Sequence, residues 1–299
     1  MIAKGLRLAG FIFRPFTHLI PIKKKKNRRR MPSKKDLKKY TYIKRDDGSL
    51  MKLVIIKPES PKTKVGVLWI HGGGYAIGSP NMAKISMAKH LAKEYLIVSP
   101  DYTLSAYEPY PAAFNDCYKT LEWMYENADD LGISKDEIVV GGDSAGGGLS
   151  VAVSLMARDK GKIKIKVLIP LYPMIDDEMK NESMVSNKAP VWDEHNNKLA
   201  WELYLNGIPK DSIPKYAAPA RETNFKDLPR TITFVGGIDP FKDETINYIE
   251  NLKKENIKVA FKFYPGCFHA FDSMVPRSKQ AKDAKAFVLS NLELFLKIN

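Results

Sequence analysis

Residues 138–148 constrain what this chain can fold into more than any other stretch. An apolar run, Ile138-Val139-Val140, leads into Gly142-Asp143-Ser144-Ala145-Gly146, and a small-residue helical pattern continues from Gly147 to Arg158. The pattern reads as strand, sharp turn and helix, with a serine on the turn. So tight a turn holds its central residue in a sparsely allowed conformation that neighbouring side chains would crowd. Gly142 and Gly146 leave room on either side, and Gly147 and Gly148 let the helix approach closely. Ser144 would stand at the carboxyl end of a strand, beside a helix N-terminus whose amides favour negative charge. Glycine and serine also make ordinary turns, so the weight of the pattern depends on its company.

The rest of the chain supplies a matching frame. Strand patterns fall near 51–56, 65–70, 95–99, 137–141, 164–170, 230–236 and 258–264, and helical patterns near 82–93, 110–127, 146–159, 241–255 and 277–296. Their alternation predicts an α/β fold with a mostly parallel central sheet and helices on both faces. A chain of 299 residues is long enough for one large core. Residues 1–45 and 174–215 fall outside the alternation. The expected organisation is a basic arm or cap segment over 1–45, a catalytic core over 46–173 and 216–299, and a helical cap insertion over 174–215. The insertion carries an aromatic stripe (Trp192, Trp201, Tyr204) expected to pack against the arm.

Three further segments suit a serine nucleophile. The apolar run Val65 to Ile70 enters His71-Gly72-Gly73-Gly74-Tyr75, whose unshielded amides can face an oxygen on which charge develops. With the amide of Ala145 they would form an oxyanion hole, His71 serving to order the loop. Of the five histidines, only His269 follows a strand-like run through a Pro-Gly turn near the C-terminus, where it can swing over the sheet edge to act as base. A carboxylate is expected between them. Asp239 ends the strand pattern Thr231 to Val235 and precedes Pro240, so it suits a helix cap as well as an orienting acid. Asp243 is the fallback.

His71-Gly72-Gly73-Gly74, Gly142-Asp143-Ser144-Ala145-Gly146-Gly147 and Asp239-Pro240-Phe241-Lys242-Asp243-Glu244 resemble the hormone-sensitive-lipase-like carboxylesterases of the α/β-hydrolase superfamily. Pro100-Asp101-Tyr102-Thr103-Leu104-Ser105 is similar to another family segment, but Thr103 stands where the family usually has Arg. The resemblance covers roughly residues 50–299. It implies an α/β-hydrolase fold with a helical cap and a cofactor-free, metal-free serine esterase with the triad Ser144, Asp239 and His269. It further implies that Gly73, Gly74 and Ala145 donate to the oxyanion, with Gly72 in support. Tyr75, Asp143 and Trp192 are the candidate substrate-contacting residues, beside Pro190 and Val191. Short- to medium-chain acyl esters, acetyl esters among them, are the expected substrates. Two alternatives stay open: a membrane-recruited lipase for longer chains, and a non-catalytic ligand-binding protein on the same fold.

The net charge of +14 is concentrated at one end: residues 1–50 hold 16 Lys and Arg against 3 Asp and Glu, and the remainder is nearly neutral. The composition therefore argues against nucleic-acid binding by the body, since no basic face remains to neutralise phosphates. The longest apolar stretch of the arm, Leu8 to Phe13, is too short to span a bilayer, and no small-residue cleavage site follows it. Lys23-Lys24-Lys25-Lys26-Asn27-Arg28-Arg29-Arg30 is expected either as a solvated loop or in peripheral contact with anionic lipid. Cys117 and Cys267 are expected to be buried free thiols of a cytoplasmic chain.

Overall fold

A computed structural model describes residues 2–13, 32–58, 61 and 63–298. His18 and the basic run 23–30 lie outside the described residues, so neither expectation for that run meets a structural observation. The described residues form an eight-stranded sheet: β1 (Thr41–Lys44), β2 (Leu50–Ile56), β3 (Gly66–Ile70), β4 (Leu96–Pro100), β5 (Ile138–Asp143), β6 (Val167–Leu171), β7 (Arg230–Gly236) and β8 (Val259–Tyr264). The helices are α1 (Arg7–Phe13), α2 (Lys34–Lys39), α3 (Ala88–Leu91), α4 (Ala112–Glu126), α5 (Ala128–Leu131), α6 (Ala145–Lys160), α7 (Glu194–Tyr204), α8 (Lys242–Lys254), α9 (Phe271–Met274) and α10 (Lys279–Leu296). The strand order is β1-β2-β4-β3-β5-β6-β7-β8; β2 is antiparallel to both neighbours and the pairs from β4 through β8 are parallel.

The central strands β3, β4, β5 and β6 are buried along their whole length, as a parallel sheet covered on both faces requires. One core lies between the sheet and α4, α6 and α8; the other lies between the sheet and α3 and α10. α6 places Ala145, Gly146, Gly147 and Gly148 in its first turn, which brings it hard against the ends of β3 and β6.

Three expectations change. Thr41–Lys44, assigned to the arm, is an edge strand paired with Leu50–Leu53 in a hairpin, so the sheet begins before residue 46. The helical pattern over 82–93 divides into a 3₁₀ turn, Pro80–Lys84, and the short α3. Among the described residues the aromatic stripe packs on the core rather than on the arm: Tyr204 stacks on Tyr75 with centroids 4.0 Å apart, and Trp201 lies beside both rings. Among the described residues, cap and arm meet where Pro190 lies close to Gly10.

The hairpin also reaches the carboxylate that Thr103 binds. Thr103 donates from its N–H and its hydroxyl to Asp116 Oδ2, both at 2.7 Å, while Arg45 from the β1–β2 turn donates to Asp116 Oδ1 at 2.7 Å. The Arg45 guanidinium also reaches the carbonyls of Leu50 and Asp101. A cation from a distant segment thus satisfies the buried Asp116, where a threonine alone leaves its charge unpaired.

Candidate active site

β5 delivers Ser144 to the carboxyl edge of the sheet, and the turn holds it at φ 59° and ψ −122°. A non-glycine residue in such a region stores on the order of 1–3 kcal/mol of strain and persists only where its surroundings over-determine it. Here they do. The Ser144 N–H donates to the Leu171 carbonyl at 3.0 Å, and its own carbonyl accepts from Gly148 at 2.9 Å and Met174 at 3.1 Å. A Cβ on Gly146 would strike the carbonyl of Ile70, so this close approach demands glycine.

His269 arrives from the turn that follows β8. Ser144 Oγ donates to its Nε2 at 2.9 Å, and its Nδ1–H donates to Asp239 Oδ2 at 2.9 Å. Asp239 sits at the end of β7, and its other oxygen accepts the Phe241 N–H at 2.9 Å. The turn-stabilising contact and the imidazole contact therefore use separate oxygens of one carboxylate. Asp243 is engaged elsewhere, with the Ser183 N–H at 2.7 Å and Lys242 at 3.0 Å. Ser144, Asp239 and His269 are 6%, 1% and 3% exposed. An imidazole with a hydroxyl on one nitrogen and a carboxylate on the other can take the hydroxyl proton while its tautomer stays fixed.

The glycine loop lies against this row. Among the described residues no acceptor takes the N–H groups of Gly73, Gly74 or Ala145, which leaves all three for an anionic oxygen. Gly72 lies against the nucleophile turn: a Cβ there would come within 3.1 Å of the Asp143 carboxylate and 3.2 Å of the Ser144 Cβ. His71 is buried, stacks on Tyr102 with centroids 4.2 Å apart, and pairs Nδ1 with the Gly72 carbonyl at 2.8 Å. That contact fixes the ring to the loop backbone. Burial pulls its pKa down to about 4, so the ring is neutral.

The three candidate substrate contacts separate. Trp192 stays beside the row: its indole lies against Gly74 and 6.2 Å from the His269 ring. Tyr75 is a packing pillar, because its ring is buried against Tyr204 and its hydroxyl donates to the Met174 carbonyl at 2.7 Å. Asp143 is buried between strand and loop, accepting from Trp69 Nε1 at 3.2 Å. Burial, reinforced by the nearby Asp272, pushes its pKa up to about 7.

Two neighbours of His269 escaped the sequence reading. Tyr172, one residue beyond β6, presents its ring edge-on to the imidazole at 5.0 Å and donates to Asp272 at 2.9 Å. Burial also raises the Asp272 pKa. The available signals were positional: Tyr172 follows a predicted strand at the sheet edge that carries the site, and Asp272 lies three residues after His269.

A family profile described as alpha/beta hydrolase fold matches residues 67–273. Esterase LipI of Mycobacterium tuberculosis is 32% identical over 195 residues, which is 64% of this chain and 61% of LipI. Carboxylesterase NlhH of the same organism is 30% identical over 225 residues, 72% of this chain and 70% of NlhH. The chain thus spans less than two thirds of LipI and slightly more of NlhH. A solved bacterial heroin esterase superposes with a TM-score of 0.82 at 30% identity, covering 87% of this chain and 84% of that one.

Proposed function

We infer that this chain, which belongs to the hormone-sensitive-lipase-like carboxylesterases of the alpha/beta hydrolase fold family, hydrolyses short- to medium-chain carboxylic esters through an acyl-enzyme. The observation that carries the mechanism is the unbroken row from Ser144 Oγ through His269 to Asp239, 2.9 Å at each step. His269 takes the Ser144 proton as the oxygen attacks the ester carbonyl, and Asp239 steadies the imidazolium that forms. The N–H groups of Gly73, Gly74 and Ala145 receive the oxyanion. The alcohol leaves with the proton from His269, and water releases the acid by the same route.

Ser144→Ala is expected to lower kcat for p-nitrophenyl acetate about a million-fold and to abolish labelling by a fluorophosphonate. Near-normal turnover in that variant would refute the assignment. A chain-length series of p-nitrophenyl esters separates the short-ester reading from a lipase that favours long chains.

Among the described residues no helix is long and apolar enough to cross a membrane. The concentrated charge of residues 1–50 supports a finer reading, in which a cytoplasmic chain touches anionic lipid through its arm. Replacing Lys23–Lys26 and Arg28–Arg30 together by Gln tests it: binding to phosphatidylglycerol vesicles should vanish, and undiminished binding would end this reading.

A further inference from the structure

The first helix of the arm has two faces with different surroundings. Its inner face is bound into the body: Leu6, just before α1, is fully buried in the core that holds Cys267, Phe268 and Phe271, and the Ala3 N–H donates to the Gly266 carbonyl at 2.8 Å. On the same side, a Cβ at Gly10 would lie 3.4 Å from Pro190. Among the described residues nothing covers its outer, apolar face. Leu8 is 76% exposed and Ile12 50%, and their spacing of four residues puts them on one side of the helix, with Lys4 and Arg7 also exposed. Large exposed aliphatic side chains among cations are what a helix lying in a lipid interface presents.

The position of this helix ties it to the chemistry. Gly266 opens the turn that carries His269, and Pro190 lies two residues before Trp192, whose indole covers Gly74 and approaches His269. The helix therefore bridges the two segments that wall the Ser144 site. We propose that α1 is a membrane-docking strap: its Leu8 and Ile12 edge rests on an anionic bilayer and brings the mouth of the site to the lipid surface, where esters dissolved in the membrane are taken up. The proposal rests on the esterase reading for its substrate class and on the arm reading for its partner. Its own content is the docking face and the orientation that this face imposes.

The test uses the full chain with phosphatidylcholine vesicles, with and without phosphatidylglycerol, and two double variants, Leu8→Glu/Ile12→Glu and the milder Leu8→Gln/Ile12→Gln. Co-sedimentation with the anionic vesicles is expected to weaken about tenfold or more in the Glu variant and less in the Gln variant. Turnover of p-nitrophenyl acetate in solution should stay within about twofold of wild type, since neither residue touches the reacting groups. Hydrolysis of an ester dissolved in the vesicles should fall in step with binding. Wild-type vesicle binding by both variants overturns the proposal. So does a dimer of the unaltered protein that the Glu variant dissociates while vesicle binding persists, because the face would then join two copies. Lack of activity on every ester, with the binding changes intact, counts against the esterase reading and leaves the docking face standing.

Discussion

Two segments close on Ser144, the glycine loop after β3 and the turn after β8, and each brings a buried histidine. His269 has a partner on both nitrogens, the hydroxyl of Ser144 and the carboxylate of Asp239. His71 has one backbone carbonyl on Nδ1 and no partner on Nε2 among the described residues. Burial is equally deep in both, at 1% and 3% exposed. Depth therefore does not assign the role. A carboxylate able to stabilise a developing imidazolium makes a base of one ring, and its absence makes a neutral prop of the other. The glycine loop works through backbone amides with fixed direction, whereas the β8 turn works through a side chain that changes charge during the reaction.

The same substitution in both segments breaks or upholds this contrast most sharply. His269→Ala is expected to cost about a million-fold in kcat, as for the members of such a unit. His71→Ala loosens the loop without removing a reacting group, and is expected to cost at most about a hundred- to a thousand-fold, the worth of one oxyanion donor. Equal losses in single-turnover assays would mean that His71 takes part in proton transfer. A smaller effect is expected from Gly74→Ala. Its Cβ would press on the indole of Trp192 at a backbone φ of 55°, displacing one amide and lowering kcat by about a hundred-fold. Because the loop acts on the transition state, KM for a small ester should barely change.

The legible parts of the molecule are those set by local chemistry. The turn around Ser144, the glycine run, and the strand ends that carry Asp239 and His269 can be read from the chain because each needs particular residue types within a few positions. The strand and helix pattern follows for the same reason. What escaped depends on distant partners. Arg45 satisfies Asp116 across 71 residues, and nothing local to either residue announces it. Tyr75 looks like a pocket residue beside its glycines until Tyr204 and Met174 claim its ring and hydroxyl. Strand β1 was hidden because Thr41–Lys44 is only four residues long and follows a run of lysines.

The smallest predicted effect concerns stability and again sets two groups around Ser144 against each other. His71 has a folded pKa of about 4 against an ordinary 6.5. The unfolded chain therefore binds the extra proton first, and stability is lost as pH falls from about 6.5 towards 4, by about 3 kcal/mol at 1.36 kcal/mol per unit. Asp143 has a folded pKa of about 7 against 3.8, and here the folded state binds the proton first. Its contribution is complete below the ordinary carboxylate range and is lost as pH rises towards 7, with a comparable magnitude. The two slopes oppose each other over one window, and Asp272 and Glu244, whose pKa values burial also raises, add to the aspartate's. Asp143→Asn should tilt the profile towards the histidine's slope, so that, relative to the unaltered protein, the variant loses more stability between pH 6.5 and 4 in urea unfolding. His71→Asn should uncover the aspartate's, with stability falling from pH 4 to 7. Parallel profiles for the two variants would mean that neither group is held in its uncharged form by burial.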